Sequence, residues 1–98
     1  MQRLLLLGLN HATAPLEVRE KLAFAPEQRA AALALLRERY DGVEAVLLCT
    51  CNRVELYAAR AVHGRPRHEE MAHFLAELRH IPPEQIRPHV YEKSERAV

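Results

Sequence analysis

Val43-Glu44-Ala45-Val46-Leu47-Leu48-Cys49-Thr50-Cys51-Asn52-Arg53-Val54-Glu55-Leu56-Tyr57-Ala58-Ala59-Arg60 contains two apolar stretches with a polar break between them. The first, Val43 to Leu48, is almost wholly aliphatic. The second alternates, with Val54, Leu56 and Ala58 on one face and Glu55, Tyr57 and Ala59 on the other, which is the period of a pleated strand. Only Cys49 to Asn52 separates them, too few residues for a crossover, so the pair predicts an antiparallel hairpin. A turn this short gives its side chains little freedom and makes a stiff place to hold reactive groups.

Upstream, Arg3 to Leu9 is a continuous apolar run that predicts a central strand covered on both faces, with Gly8 marking a bulge or the close approach of another backbone. Asn10 to Pro15 forms a polar loop, and Thr13 caps a short helix reaching about Leu22. Pro26 and Glu27 open a stronger helix over 26–40, with Ala32, Leu33, Leu36 and Tyr40 facing inward. Asp41-Gly42 supplies its left-handed stop. Downstream of the hairpin, His63 to Arg67 reads as a basic turn. Met71, Phe74, Leu75 and Leu78 then recur at helical spacing between Pro66 and His80, with Pro82-Pro83 closing that helix. One helical turn at Pro83 and Glu84 precedes a fourth strand, Ile86 to Tyr91, where Pro88 implies a sheet edge or a bulge. The order β-α-β-β-α-β, with an extra short helix after the first strand, predicts an α+β ferredoxin-like two-layer sandwich with an antiparallel sheet. Ser94 reads as the cap of a further helix whose apolar face starts at Ala97 and Val98, so residues 1–98 are expected to be one domain cut from a larger protein.

Composition narrows the classes. The chain has 98 residues, 49% apolar and 28% charged with three glycines, which is a globular balance. The net charge of +1 gives no general electrostatic reason to bind nucleic acid or an anionic membrane. Leu4 to Leu7 is too short for a signal peptide core or a membrane span, being closed by Asn10 and His11. Two cysteines one residue apart cannot staple distant loops, so a reducing, cytoplasmic setting is expected.

The chemistry concentrates at Cys51. A hydroxyl (Thr50) precedes it, and an amide (Asn52) and a guanidinium (Arg53) follow. A fixed cation favours the thiolate, which is the nucleophile, so Cys51 is read as attacking an acyl group. Arg53 or His11 could activate it. Against this stands the ordinary role of a lone cysteine, a small packed apolar residue. Cys49 shares strand parity with Cys51, so both are expected to face the same way. With His63 or His11 they could hold a soft metal, although a single Cys-x-Cys is a weak signal and packing is the plainer role for Cys49. Arg53 is suited to gripping a carboxylate in two parallel hydrogen bonds. His68, His73, His80 and His89 are unspecific, and Arg65 with Arg67 could touch phosphate without amounting to a nucleic-acid site. No G-x-G-x-x-G dinucleotide loop occurs.

Two stretches resemble the glutamyl-tRNA reductase family. Gly8-Leu9-Asn10-His11-Ala12-Thr13-Ala14-Pro15, continuing through Val18-Arg19-Glu20-Lys21-Leu22-Ala23-Phe24, is similar to its opening signature. Thr50-Cys51-Asn52-Arg53-Val54-Glu55-Leu56-Tyr57 is similar to its nucleophile signature. The resemblance covers the chain, loosely over about 60–85. It implies that Cys51 attacks the aminoacyl ester of glutamyl-tRNA and holds the glutamyl group as a thioester. NADPH, bound by a domain absent from this chain, then reduces the thioester to glutamate-1-semialdehyde for tetrapyrrole synthesis. Thr50, Asn52 and Arg53 would recognise the glutamate, with His11 and Thr13 lining or supporting the pocket. The resemblance also implies a homodimer through an absent C-terminal domain and, as a further partner, the next enzyme of the pathway, glutamate-1-semialdehyde aminomutase. Cys49 departs from the family's usual serine and leaves a second thiol beside the site. The alternative is a non-catalytic ferredoxin-like module that binds RNA through Tyr57 and Tyr91 or a metal through the thiols.

Overall fold

A computed structural model describes residues 1–97. Four strands, β1 (Gln2–Asn10), β2 (Glu44–Cys49), β3 (Arg53–Ala61) and β4 (Tyr91–Ala97), form one antiparallel sheet in the order β2-β3-β1-β4. Three helices accompany it: α1 (Leu16–Leu22), α2 (Pro26–Arg39) and α3 (His68–Leu78).

The predicted hairpin is present, with Cys49 opposite Val54 and Glu44 opposite Ala59. β1 is central, but only one of its faces is covered. Leu5, Leu7 and Leu9 are buried with Val54, Leu56 and Ala58 of β3 and with Leu22, Leu36, Met71, Phe74 and Leu75 from the helices. On the other face Leu4, Val46 and Leu48 are exposed, so the unbroken apolar run does not mean two covered faces. Gly8 forms no bulge, because the β1–β3 register runs unbroken through its pairing with Glu55.

The helices follow their sequence patterns with different ends. Pro15, not Thr13, stands at the α1 cap, because the Thr13 hydroxyl is turned back onto Asn10. In α2 the Ala25 amide donates to Gln28 Oε1. The helix ends on an extended Tyr40, and Gly42 at φ 78° serves the following turn, closed by Val43 N–H donating to Tyr40 O, so it is not the left-handed stop of the helix itself. α3 starts at His68, where Glu70 Oε1 accepts from the Arg67 amide. Its end is set by His80 at φ 57°: Ile81 N–H donates to Ala76 O and His80 N–H to Glu77 O, a Schellman closure reached before the prolines.

The fourth strand lies further along than expected. Ile86 is a buried core residue, Pro88 sits in a short 3₁₀ turn (Arg87–His89), and pairing begins at Tyr91. Ser94 therefore caps no helix but pairs with Leu5, and Val98 lies outside the described residues. An edge strand needs backbone pairing more than apolar side chains, which explains why Tyr-Glu-Lys-Ser-Glu-Arg-Ala forms it.

A non-glycine residue in the left-handed region costs roughly 1–2 kcal/mol. His80→Gly should therefore raise stability by about 1 kcal/mol in urea denaturation. An unchanged or lower midpoint would show that the His80 side chain stabilises the closure.

Candidate active site

The site is assembled where the C-terminal end of β1 meets the start of β3. Asn10 pairs directly with Arg53, so the Asn10–Pro15 loop and the Thr50–Arg53 turn are neighbours although 34 residues of chain separate them. Each loop is wired internally. Asn10 Oδ1 accepts from the amides of Ala12 (2.9 Å) and Thr13 (3.1 Å), and Thr13 Oγ1 accepts from the Asn10 amide at 3.0 Å. Thr50 Oγ1 accepts from the amides of Asn52 (3.1 Å) and Arg53 (3.2 Å), and the Thr50 amide donates to Arg53 O at 2.8 Å. The threonine lone pairs thus hold the turn, which leaves the hydroxyl proton free to donate outward.

The two thiols part company. Cys51 lies at the turn and is exposed, whereas Cys49 ends β2 and packs against the core. Strand parity stops at Cys49, so it does not carry to Cys51 as the sequence suggested. Burial pushes the Cys49 thiol above its usual range, partly opposed by a hydrogen bond with the Phe24 backbone and by Arg29 and Arg79. A half-buried thiol pushed up in this way stays protonated, and Cys51 is the more exposed of the two. Among the described residues no three His, Cys, Asp or Glu side chains come together as a metal site. His11 is exposed in its loop.

Sequence reasoning left three residues without a role here. Glu55, on the open face of the sheet, is only 5% exposed. Its carboxylate accepts from Tyr57 OH at 2.9 Å and from Tyr91 OH at 2.5 Å, and lies 3.7 Å from Arg53 Nη1. Two phenols and a guanidinium compensate a carboxylate that would be costly to bury alone. Gly8 makes the room: a Cβ there would lie 2.8 Å from Glu55 Cγ and 3.1 Å from the Tyr91 ring, so side chains, not another backbone, approach it. Arg53 is about half exposed, and at 3.7 Å it faces Glu55 as an ion pair without a hydrogen bond, so its N–H donors stay available. His89 joins the loops from the far side, its Nδ1 lying 3.2 Å from Thr13 O. The Gly8 and Glu55 positions inside the two quoted stretches were the available signal. Nothing local marks Tyr91 or His89, which arrive from the far end of the chain.

Among the described residues no helix is long and apolar enough to cross a membrane.

Residues 7–98 match the family described as glutamyl-tRNAGlu reductase, N-terminal domain. The glutamyl-tRNA reductase of Geobacter sulfurreducens is 44% identical over 89 residues, covering 90% of this chain and 20% of the relative. Those of Neisseria gonorrhoeae and Aromatoleum aromaticum are each 45% identical, covering 86% and 87% of this chain and 19% of the relative. The chain spans about a fifth of the length of the curated relatives it matches.

Burial and the Glu55 contact push the Tyr91 phenol up to about 12. Because the folded value lies above the ordinary value of about 10, this contribution to stability is full below about pH 10 and is lost as pH rises towards 12. Urea midpoints measured across that window should fall more steeply for the native protein than for Tyr91→Phe. Parallel curves would show that the phenol–carboxylate bond contributes nothing.

Proposed function

The chain belongs to the glutamyl-tRNA reductase family, matching its N-terminal domain, and from that premise we propose that it is the nucleophile-bearing, glutamyl-binding domain of an oxidoreductase of tetrapyrrole synthesis. The supporting observation is the meeting of the two signature loops at the Asn10–Arg53 pair, with the exposed Cys51 thiol between Thr50 and a tethered guanidinium. The strand order β2-β3-β1-β4 with every neighbour antiparallel also supports the ferredoxin-like reading of the sandwich.

In the proposed reaction the Cys51 thiolate attacks the ester carbonyl that joins glutamate to the 3′ end of tRNA. A C–S bond forms and the C–O bond to the ribose breaks. The ribose oxygen leaves with a proton, and the glutamyl group remains as a thioester. Arg53, anchored on one side by Glu55, presents its free nitrogens to the side-chain carboxylate of the glutamyl group. Thr50 donates its hydroxyl proton, and Asn52 offers its amide at the same turn. His11 and Thr13 support the pocket from the neighbouring loop.

NADPH is the reductant this family reading implies, but these residues do not fit it. Gly8 is filled by the Glu55 and Tyr91 side chains, Gly42 lies in the turn between α2 and β2, and Gly64 lies in the turn after β3, so none builds a phosphate-cradling loop. Reduction, dimerisation and any contact with the aminomutase that takes the aldehyde are assigned to other parts of the protein.

The deciding experiment is the mass of the protein after incubation with glutamyl-tRNA and an acid quench. A glutamyl adduct on Cys51 is expected, absent in Cys51→Ser, and aldehyde formation should vanish in that variant. An adduct elsewhere, or activity retained in Cys51→Ser, would sink the assignment. Arg53→Lys keeps the charge but loses the fork, so it should reduce adduct formation by about tenfold or more. Unchanged adduct formation would show that another group holds the carboxylate.

A further inference from the structure

The net charge of +1 conceals an uneven distribution. In the sheet register Arg60 of β3 stands directly opposite Arg3 of β1, and Arg3 directly opposite Arg96 of β4. Residues directly opposite share a face, so three cations form a row across three strands, an arrangement that repels itself. Arg67, just before α3, adds a fourth. Burial, and then the charges of Arg3 and Arg67, hold the Arg60 guanidinium below its ordinary value. Arg60 cannot swing away: it is 7% exposed, with Nε donating to Pro66 O and Nη1 to the carbonyls of Ala61 and Val62. Arg3 is held by a bond from Nη1 to Ser94 Oγ at 3.0 Å. Among the described residues none of these four arginines is in an ion pair, and the nearby Glu70 is taken by Arg65. An open groove of about 440 Å³ lies at the Arg3–Arg60 part of the row, lined by these two with Arg67, His63 and His68, and Arg96 stands outside its lining.

We propose that this groove binds the phosphodiester backbone of an RNA strand whose 3′ end lies at Cys51. The proposal rests on the acyl-transfer reading above, and it adds where the RNA runs. Adjacent strands are about 4.8 Å apart, so the row spans roughly 10 Å. One phosphate would meet only part of it, whereas a nucleic-acid strand carries a charge about every 3.4 Å. The groove is at the opposite end of β3 from the nucleophile. At about 3.3 Å per residue, Arg53 to Arg60 is roughly 23 Å, or about seven nucleotide rises. Arg60 and Arg3 share the helix-covered face with Leu56 and Leu5, whereas Arg53 lies with Glu55 on the open face. An RNA that reaches the thiol with its end therefore meets the groove by passing around the margin of the sheet, over somewhat more than that distance.

The test compares the intact protein with Arg3→Gln/Arg67→Gln/Arg96→Gln, sparing Arg60 because it holds the turn. Binding of uncharged tRNA is followed by fluorescence anisotropy over a range of salt concentrations. The variant should bind about tenfold or more weakly at low salt, with the slope of log affinity against log salt reduced by about 2 to 3. Equal affinity and slope would overturn the proposal. Glutamyl transfer to Cys51 from a glutamylated 3′ trinucleotide, too short to reach the groove, should be unaffected while transfer from glutamyl-tRNA falls. Equal loss with both substrates would show that the arginines do not act through the RNA backbone and would also overturn the proposal. Failure of the native protein to accept a glutamyl group from either substrate would defeat the acyl-transfer reading instead, while the salt slope still decides the groove.

Discussion

The pairing of β1 with β3 is the constraint on which the rest depends. Its nine consecutive pairs, from Gln2–Ala61 to Asn10–Arg53, put Leu5, Leu7 and Leu9 on the same face as Ala58, Leu56 and Val54. A slip of one residue would turn those leucines to solvent, so burial itself pins the register. The same pinning fixes three polar consequences: the two site loops meet at Asn10 and Arg53, Gly8 lies under Glu55, and Arg3 is set against Arg60. Chemistry at one end of the sheet and cationic density at the other are thus by-products of one hydrophobic alignment.

The open face of the sheet shows how a polar group is used where helices are absent. Glu55 is buried there by Tyr57 and Tyr91, not by a second layer. Its carboxylate tethers Arg53 at a distance that leaves the guanidinium half exposed. An arginine fixed on one side loses less entropy when it grips a ligand with the other, which is the advantage of preorganisation. Cys49 shows the opposite solution a few residues away. Placed against the core, it becomes a packing thiol, and the residue beyond the strand end stays exposed.

Net charge proved a poor guide to local electrostatics. An overall value of +1 is compatible with carboxylates spread among surface pairs on the helices, such as Glu69–Arg87 and Glu77–Arg39, while arginines gather at one sheet end. Composition averages over exactly the distances at which screening makes charges independent of one another. Only strand register reveals that Arg3, Arg60 and Arg96 are neighbours.

The sequence by itself determined the elements whose causes are local. Alternation around Val54 gave the hairpin, helical spacing of Met71, Phe74 and Leu75 gave α3, and Asp41-Gly42 marked the turn that follows α2. The two short signatures also carried the family. What only the tertiary structure decided depends on pairing between distant segments. The start of β4 at Tyr91 was illegible because an edge strand is selected by free backbone groups on β1 and not by apolar side chains of its own. The burial of Glu55 was illegible because its cover, Tyr91, arrives across β1 from the far end of the chain. The end of α3 near His80 was legible in the sequence, but its cause was not the following prolines: two backbone bonds that no residue type announces close it first. Side-chain patterns report the environment of neighbours along the chain, whereas register, partners and charge clusters exist only once the strands have been laid side by side.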